Sequence, residues 1–213
     1  MGTYNKGILG PFRGTVGPVV GSTFRGKDVM RSRPRKTNRA ATVLQLQQRA
    51  KFRTVTQFLT PVRVLVSEYF GAPVESRSRY NMATSYHIKE AVNYANDVAT
   101  IIYDKVVYAK GNLLPLQNLV ATPEENAVIN LTWVDNSGQA GTNPKDELMI
   151  VVVEMNVNDY HLFLNGATRE SASETITLPA YLKGTTVHVY AFVVSENGKF
   201  NSTSQHLGRF EVL

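Results

Sequence analysis

The stretch Val187-His-Val-Tyr-Ala-Phe-Val-Val194 decides the fold. It is rich in β-branched and aromatic residues and holds no glycine, proline or acid, which is the composition of a strand interior. Side chains alternate across a strand. One face therefore carries Val187, Val189, Ala191 and Val193, and the other His188, Tyr190, Phe192 and Val194. Leu148-Met-Ile-Val-Val-Val153 is likewise apolar on both sides. A strand of an antiparallel sandwich ordinarily shows one polar face to water. Two strands apolar on both sides predict a sheet whose outer face is covered, either by helices of the same chain or by another subunit.

Outward from this pair, strands are predicted near 103–109, 116–121, 128–134, 147–156, 160–164, 174–178, 186–195 and 204–212. Turn signals separate them: Asn136-Ser-Gly138, Gly141-Thr-Asn-Pro144, Asn165-Gly166, Lys183-Gly184 and Glu196-Asn-Gly198. About seven short strands in ~100 residues give an antiparallel β-sandwich. Leu131-Thr-Trp133, Leu182-Lys-Gly-Thr-Thr-Val187-His-Val189, Ser195-Glu-Asn-Gly198 and Ser202/Ser204 resemble a fibronectin type III domain over roughly 116–213. The resemblance departs at Val187, where that family usually has the tyrosine of its corner. It implies that Trp133 packs beneath the Val187/Val189/Ala191 face. It also implies an interaction or spacer module, although fold alone does not fix function.

Upstream the period becomes helical. Thr42 with Gln45 three residues on forms a capping box. Phe52, Val55, Leu59, Val62, Val66 and Tyr69 then make a helical stripe. Pro61 interrupts it, yet Thr60-Pro61 is also a good N-cap and first-turn pair, so the segment is one kinked helix or two consecutive ones. Gly71-Ala-Pro73 ends it, and a second helix is predicted over 82–95.

At the amino terminus, glycines at 2, 7, 10, 14, 17, 21 and 26 alternate with Ile8, Leu9, Phe12, Val16, Val19, Val20 and Phe24. Glycine disfavours regular structure while the apolar residues require burial. The prediction is an extended or hairpin-like arm with short strands, laid against a folded surface. The class is α+β, in three stretches: 1–40 a Gly-rich basic arm, 41–110 a helical segment with a short strand, and 111–213 a fibronectin type III-like sandwich.

Charge is segregated along the chain. Residues 1–67 hold thirteen Lys/Arg against the single acid Asp28, 68–110 hold five against five, and 111–213 hold five against eleven, within a net +6. Such asymmetry points to an arm that meets a polyanion or an acidic protein surface. Cysteine is absent, which excludes disulfides, thiolate metal sites and a cysteine nucleophile. The opening residues lack a secretory apolar core, and no run approaches the ~20 apolar residues of a membrane span. The expectation is a soluble protein made in the cytoplasm.

No catalytic constellation emerges, and no cofactor or small-molecule substrate is expected. Gly21-Ser-Thr-Phe-Arg-Gly26-Lys27 approaches a phosphate-binding loop, but Asp28 stands where the magnesium-binding hydroxyl belongs. His87, His161, His188 and His206 are scattered and lack ligand spacing. The partner-directed signal is the cluster Arg31, Arg33, Arg35, Lys36 and Arg39, joined on the helix by Gln45 and Arg49, which share one face with Phe52. Protein carboxylates, nucleic-acid phosphates and plain solvation are the alternatives for this cluster. Aromatics for base stacking are sparse.

Tyr4-Asn-Lys-Gly-Ile-Leu-Gly-Pro-Phe12, Gly14-Thr-Val-Gly-Pro-Val-Val-Gly21 and Met30-Arg-Ser32 resemble an uncharacterised family of roughly 200-residue proteins encoded in Bacteroidota and associated with prophages. The pattern Asn38-x3-Thr42-x2-Gln45-x3-Arg49-x2-Phe52 is similar to a segment of phage-encoded virion-associated proteins. The function expected is a non-enzymatic structural or assembly protein, a phage or prophage virion component. Its partners would be copies of itself or other virion subunits, with weak, non-specific nucleic-acid binding at most. A nucleic-acid-binding accessory protein and an adhesion module are the alternatives.

Overall fold

The structure, a computed structural model, describes residues 2–4, 7, 10–24, 26–35, 40–73, 77–155 and 159–213. The chain forms two compact units, Met1–Thr42 and Val43–Leu213.

In the first unit, β1 (Thr3–Tyr4), β2 (Phe12–Val16), β3 (Val19–Phe24) and β4 (Lys27–Ser32) make an antiparallel meander in chain order. Gly17 takes φ 56° between the paired residues Val16 and Val19, and Pro18 follows, so the hairpin turns in two residues. Gly21 serves a different end. A Cβ there would lie 2.1 Å from the Phe12 carbonyl oxygen and 2.8 Å from its ring. Among the described residues of this unit, only Gly21 is buried.

The second unit opens with α1 (Val43–Leu59), α2 (Arg63–Tyr69) and α3 (Arg79–Glu90). The stripe around Pro61 is thus two consecutive helices. Thr60 does not cap the second: its hydroxyl donates back to the Thr56 carbonyl at 2.5 Å, and α2 starts after Val62 with no side-chain cap. The α3 N-cap is Ser78, whose Oγ accepts from the Asn81 amide at 3.2 Å.

The predicted helix over 82–95 ends early. A hairpin, β5 (Val92–Ala95) and β6 (Val98–Ile101), takes its last residues. Asn96 and Asp97 sit at φ 51° and 61°, the backbone of a two-residue primed turn that Asn and Asp accept most readily after glycine. The strand predicted over 103–109 is also absent. A 3-10 turn fills Tyr103–Lys105, and the extended run after it buries Val106, Tyr108 and Ala109. Its amides go to side chains instead of a neighbouring strand: Val107 N–H to His87 Nε2 at 3.3 Å and Tyr108 N–H to Ser204 Oγ at 3.0 Å. Alternating burial was legible there; the missing ladder partner was not.

The sandwich follows: β7 (Gln117–Glu124), β8 (Val128–Val134), β9 (Glu147–Glu154), β10 (Tyr160–Phe163), β11 (Ser173–Thr177), β12 (Thr186–Val194) and β13 (Gln205–Glu211). The sheets run β11-β8-β7 and β10-β9-β12-β13, antiparallel throughout. Between them lie Ile129, Leu131, Trp133 and Ile176 from the first, and Leu148, Ile150, Val152, Val187, Val189, Ala191 and Val193 from the second. Trp133 thus sits where the fibronectin type III resemblance implied.

The outer face of β9 and β12 carries Met149, Val151, Val153, Tyr190, Phe192 and Val194. Val55, Phe58 and Leu59 of α1, Leu65 and Val66 of α2, and Tyr108 cover it. The two-sided apolar pattern is therefore answered within the chain, and the molecule's second unit has three layers: sheet, sheet and helices. Burying one large aromatic such as Phe58 is worth ~3–5 kcal/mol by the cost of its deletion. Tyr160 and Tyr190 reach the same layer and donate to the carbonyls of Phe58 at 2.7 Å and Tyr103 at 2.8 Å.

Candidate docking surfaces and a buried histidine pair

The basic cluster of the first unit begins at Arg31 on β4, the last strand of its sheet, which pairs with β3, and continues past the strand's end. Arg31, Arg33 and Arg35 are exposed there; Lys36 and Arg39 lie outside the described residues. Phe24 and Met30 of the same sheet are 60% and 74% exposed. Exposed guanidinium groups suit planar carboxylate or phosphate partners, which they grip through paired N–H donors.

In the second unit the face shared by Gln45, Arg49 and Phe52 belongs to the amino-terminal half of α1. The helix buries residues only from Val55 onward, so Val43, Leu44, Leu46 and Phe52 stay exposed. Gln45, Arg49 and Phe52 line one groove of about 1020 Å³, closed on its far side by Asp97, Val98 and Ala99 of the β5–β6 turn. Thr54 Oγ donates to the Ala99 carbonyl at 3.4 Å and ties helix to hairpin beside it. A second groove, about 620 Å³, lies between α1 and α3, with Lys51, Phe52, Thr84, Ile88 and Lys89 on its walls. Phe52 thus forms a ridge between two grooves, flanked by Arg49, Lys51, Arg53 and Lys89. Exposed aromatic and Arg side chains are among those enriched at protein interfaces.

Sequence reasoning missed the histidines. His188 on β12 and His206 on β13 meet with Nδ1 and Nε2 2.9 Å apart, and His206 Nδ1 lies 3.5 Å from the Asp104 carboxylate. The Tyr103 ring stacks flat on His188 at 4.4 Å, and the Tyr190 ring packs on His206 at 4.9 Å. Burial pushes His188 down to about 4, and the neighbouring His206 adds to the effect. Burial also lowers His206, with Asp104 opposing it. The sequence separation of the two rings gives no signal, because a shift of register between Val189 and Tyr190 brings them together.

A fourth cluster is structural. Arg169, fully buried, pairs its Nε with Asp146 Oδ2 at 3.2 Å and donates to Asn136 and to the Leu114 carbonyl. No helix is long and apolar enough to cross a membrane, among the described residues.

A helical layer over an antiparallel sandwich of three and four strands defines an α+β protein. Residues 11–208 match DUF6266, a family of unknown function, and the chain belongs to that family. No curated protein matches it. Among solved structures, the fn3 domain of the human collagen alpha-1(XX) chain is similar over 46% of this chain and 84% of that one, at 13% identity and a TM-score of 0.35.

Proposed function

We propose that this protein is a non-enzymatic structural or assembly subunit that contacts neighbouring copies of itself through its basic first unit, as a component of a phage or prophage particle. The carrying observation is a four-stranded sheet with one buried residue, Gly21, among its described positions. A small sheet that buries none of its own side chains gains stability by packing on another surface. Charge supplies the partner. Glu124, Glu125, Asp135, Glu170 and Glu211 are exposed on the sandwich, so one copy offers carboxylates to the arginines of the next. The phage assignment rests on the sequence resemblance at Asn38–Phe52, and the Phe52 ridge gives a second contact suited to a protein.

Light-scattering mass of the full chain at low and high salt tests this reading. Defined oligomers at low salt that dissociate as salt rises are expected, because exposed charge pairs are screened. A chain that stays monomeric at every salt concentration overturns it. Sub-micromolar DNA binding by a monomer at physiological salt would favour the nucleic-acid alternative instead.

A further inference from the structure

Asp104, His188 and His206 each offer one ligand atom, and these atoms lie within 4.8 Å of one another. The three come from different elements: the 3-10 turn under the helical layer, β12 and β13. The set has the composition of sites that hold transition ions, two neutral imidazoles and one carboxylate. The 2.9 Å between His188 Nδ1 and His206 Nε2 matches adjacent corners of an octahedron about 2.1 Å from an ion, roughly 3.0 Å apart. Tetrahedral corners are roughly 3.4 Å apart, so a tetrahedral ion requires the rings to part by about 0.5 Å.

We propose that Asp104, His188 and His206 form a binding site for a first-row divalent transition ion of the zinc class, which fastens the Tyr103–Lys105 turn to β12 and β13. Several features beyond the three ligands favour it. Neighbouring groups fix the rings before an ion arrives. Tyr103 stacks on His188, and its own carbonyl accepts the Tyr190 hydroxyl at 2.8 Å, so the residue before Asp104 is anchored from two sides. Such surrounding contacts orient ligands and raise affinity. The neutral imidazole is the form with a lone pair to give to an ion. His188 is 4% exposed, so the Nδ1 that faces His206 lies in a site screened from bulk water. Asp104 is on the surface, with its side chain 78% exposed. It has room to swing from His206 Nδ1 onto an ion, and leaves the outer coordination positions to water.

The donor set also sets selectivity. Imidazole nitrogen suits zinc, cobalt, nickel and copper, whereas calcium and magnesium require oxygen shells that this site lacks. A comparison within the molecule is His161 with Asp159, 3.4 Å apart. That pair has a single imidazole, and Asp159 is already taken by the Tyr181 hydroxyl at 2.7 Å.

The test is a titration of the full, tag-free chain with Co²⁺, followed by visible absorption and by competition with Zn²⁺. Saturation at one ion per chain is expected, with the ligand-field bands of a nitrogen-bound ion and paramagnetic shifts on the ring protons of His188 and His206. The melting temperature should climb with ion concentration, and Ca²⁺ and Mg²⁺ should leave it unchanged. Asp104→Asn, on an exposed side chain that the fold does not need, should weaken binding by at least about tenfold, the scale on which even outer-shell changes act. His206→Gln should abolish it, and His161→Asn should leave it intact. Folding of each variant is checked by circular dichroism in chelator. A titration without saturation overturns the proposal, as does unchanged affinity in Asp104→Asn or paramagnetic shifts confined to His161. Should His206→Gln fail to fold, the wild-type ring shifts and the Asp104→Asn affinity decide alone.

Discussion

The indole Nε1–H of Trp133 donates to the backbone carbonyl of Arg169 at 2.8 Å. Through this bond the one tryptophan of the chain joins the sandwich interior to the buried arginine that closes its end. Its apolar body faces Leu131, Val189 and Ala191 in the inner core, while its polar atom is satisfied. Trp133→Ala should cost ~3–5 kcal/mol, and Trp133→Phe about 1–3 kcal/mol for the unmade hydrogen bond. Denaturant unfolding followed by circular dichroism measures both. In the native wild type the tryptophan emission should be blue-shifted; a solvent-like maximum would contradict the burial.

Arg169→Met should destabilise by ~3–5 kcal/mol, because it leaves the Asp146 carboxylate buried without its cation. The double variant Arg169→Met/Asp146→Leu should recover much of that loss. If the double variant is as unstable as the sum of the two single ones, the pair is not coupled.

His87 carries a pH dependence. Its ring is wholly buried, with Nδ1 2.8 Å from the Ala83 carbonyl and Nε2 accepting from Val107 N–H. Both bonds are made by the neutral form, and burial lowers the group below its ordinary 6.5. The unfolded chain therefore binds a proton that the folded chain refuses. Stability is fully present above about pH 6.5 and is lost as pH falls through the lowered folded value. Urea midpoints of wild type and His87→Leu, compared between about pH 8 and pH 5, isolate this effect, since other groups cancel in the difference. A difference that stays constant with pH would sink the argument.

Phe52→Ala should leave monomer stability within about 0.5 kcal/mol, because the ring is 53% exposed. Self-association, measured by sedimentation, should weaken at least tenfold, ~1.4 kcal/mol. Replacing Arg31, Arg33 and Arg35 together by Glu should dissolve assemblies more completely. Unaltered sedimentation in both variants would remove these two surfaces from the assembly.

Gly21→Ala should loosen the first unit alone, since the added Cβ meets the Phe12 carbonyl and ring. Limited proteolysis reads this directly: cleavage within residues 1–42 should accelerate while residues 43–213 stay protected. Equal protection in variant and wild type would show that Phe12 moves aside at little cost.

The sandwich strands were legible because two-sided apolarity over 148–153 and 187–194 survives any context: such residues find cover. What covered them was not legible, because a helical stripe names its buried face and not its partner. The β5–β6 hairpin was missed for a local reason. Its strands are four residues each, and the Asn96-Asp97 turn lacks the glycine that marks most such turns. The histidine pair was beyond reach for a non-local one. It depends on a one-residue irregularity between β12 and β13 that no pattern in either strand announces. Gln45, Arg49 and Phe52 were readable as one helix face; that Phe52 divides two grooves depended on the positions of α3 and the hairpin.

The helices that cover β9 and β12 have a consequence for synthesis. Tyr160 binds the Phe58 carbonyl across 102 residues, and Asn201 Nδ2 donates to the Tyr69 carbonyl across 132. The ribosome releases α1 and α2 long before the strands they pack on exist. Their apolar stripes must wait, unprotected, until β12 has emerged, and such non-local closure folds slowly. A nascent chain stalled before residue 147 therefore holds helices with nothing to lie on, and one stalled before residue 186 offers them only half of their final surface.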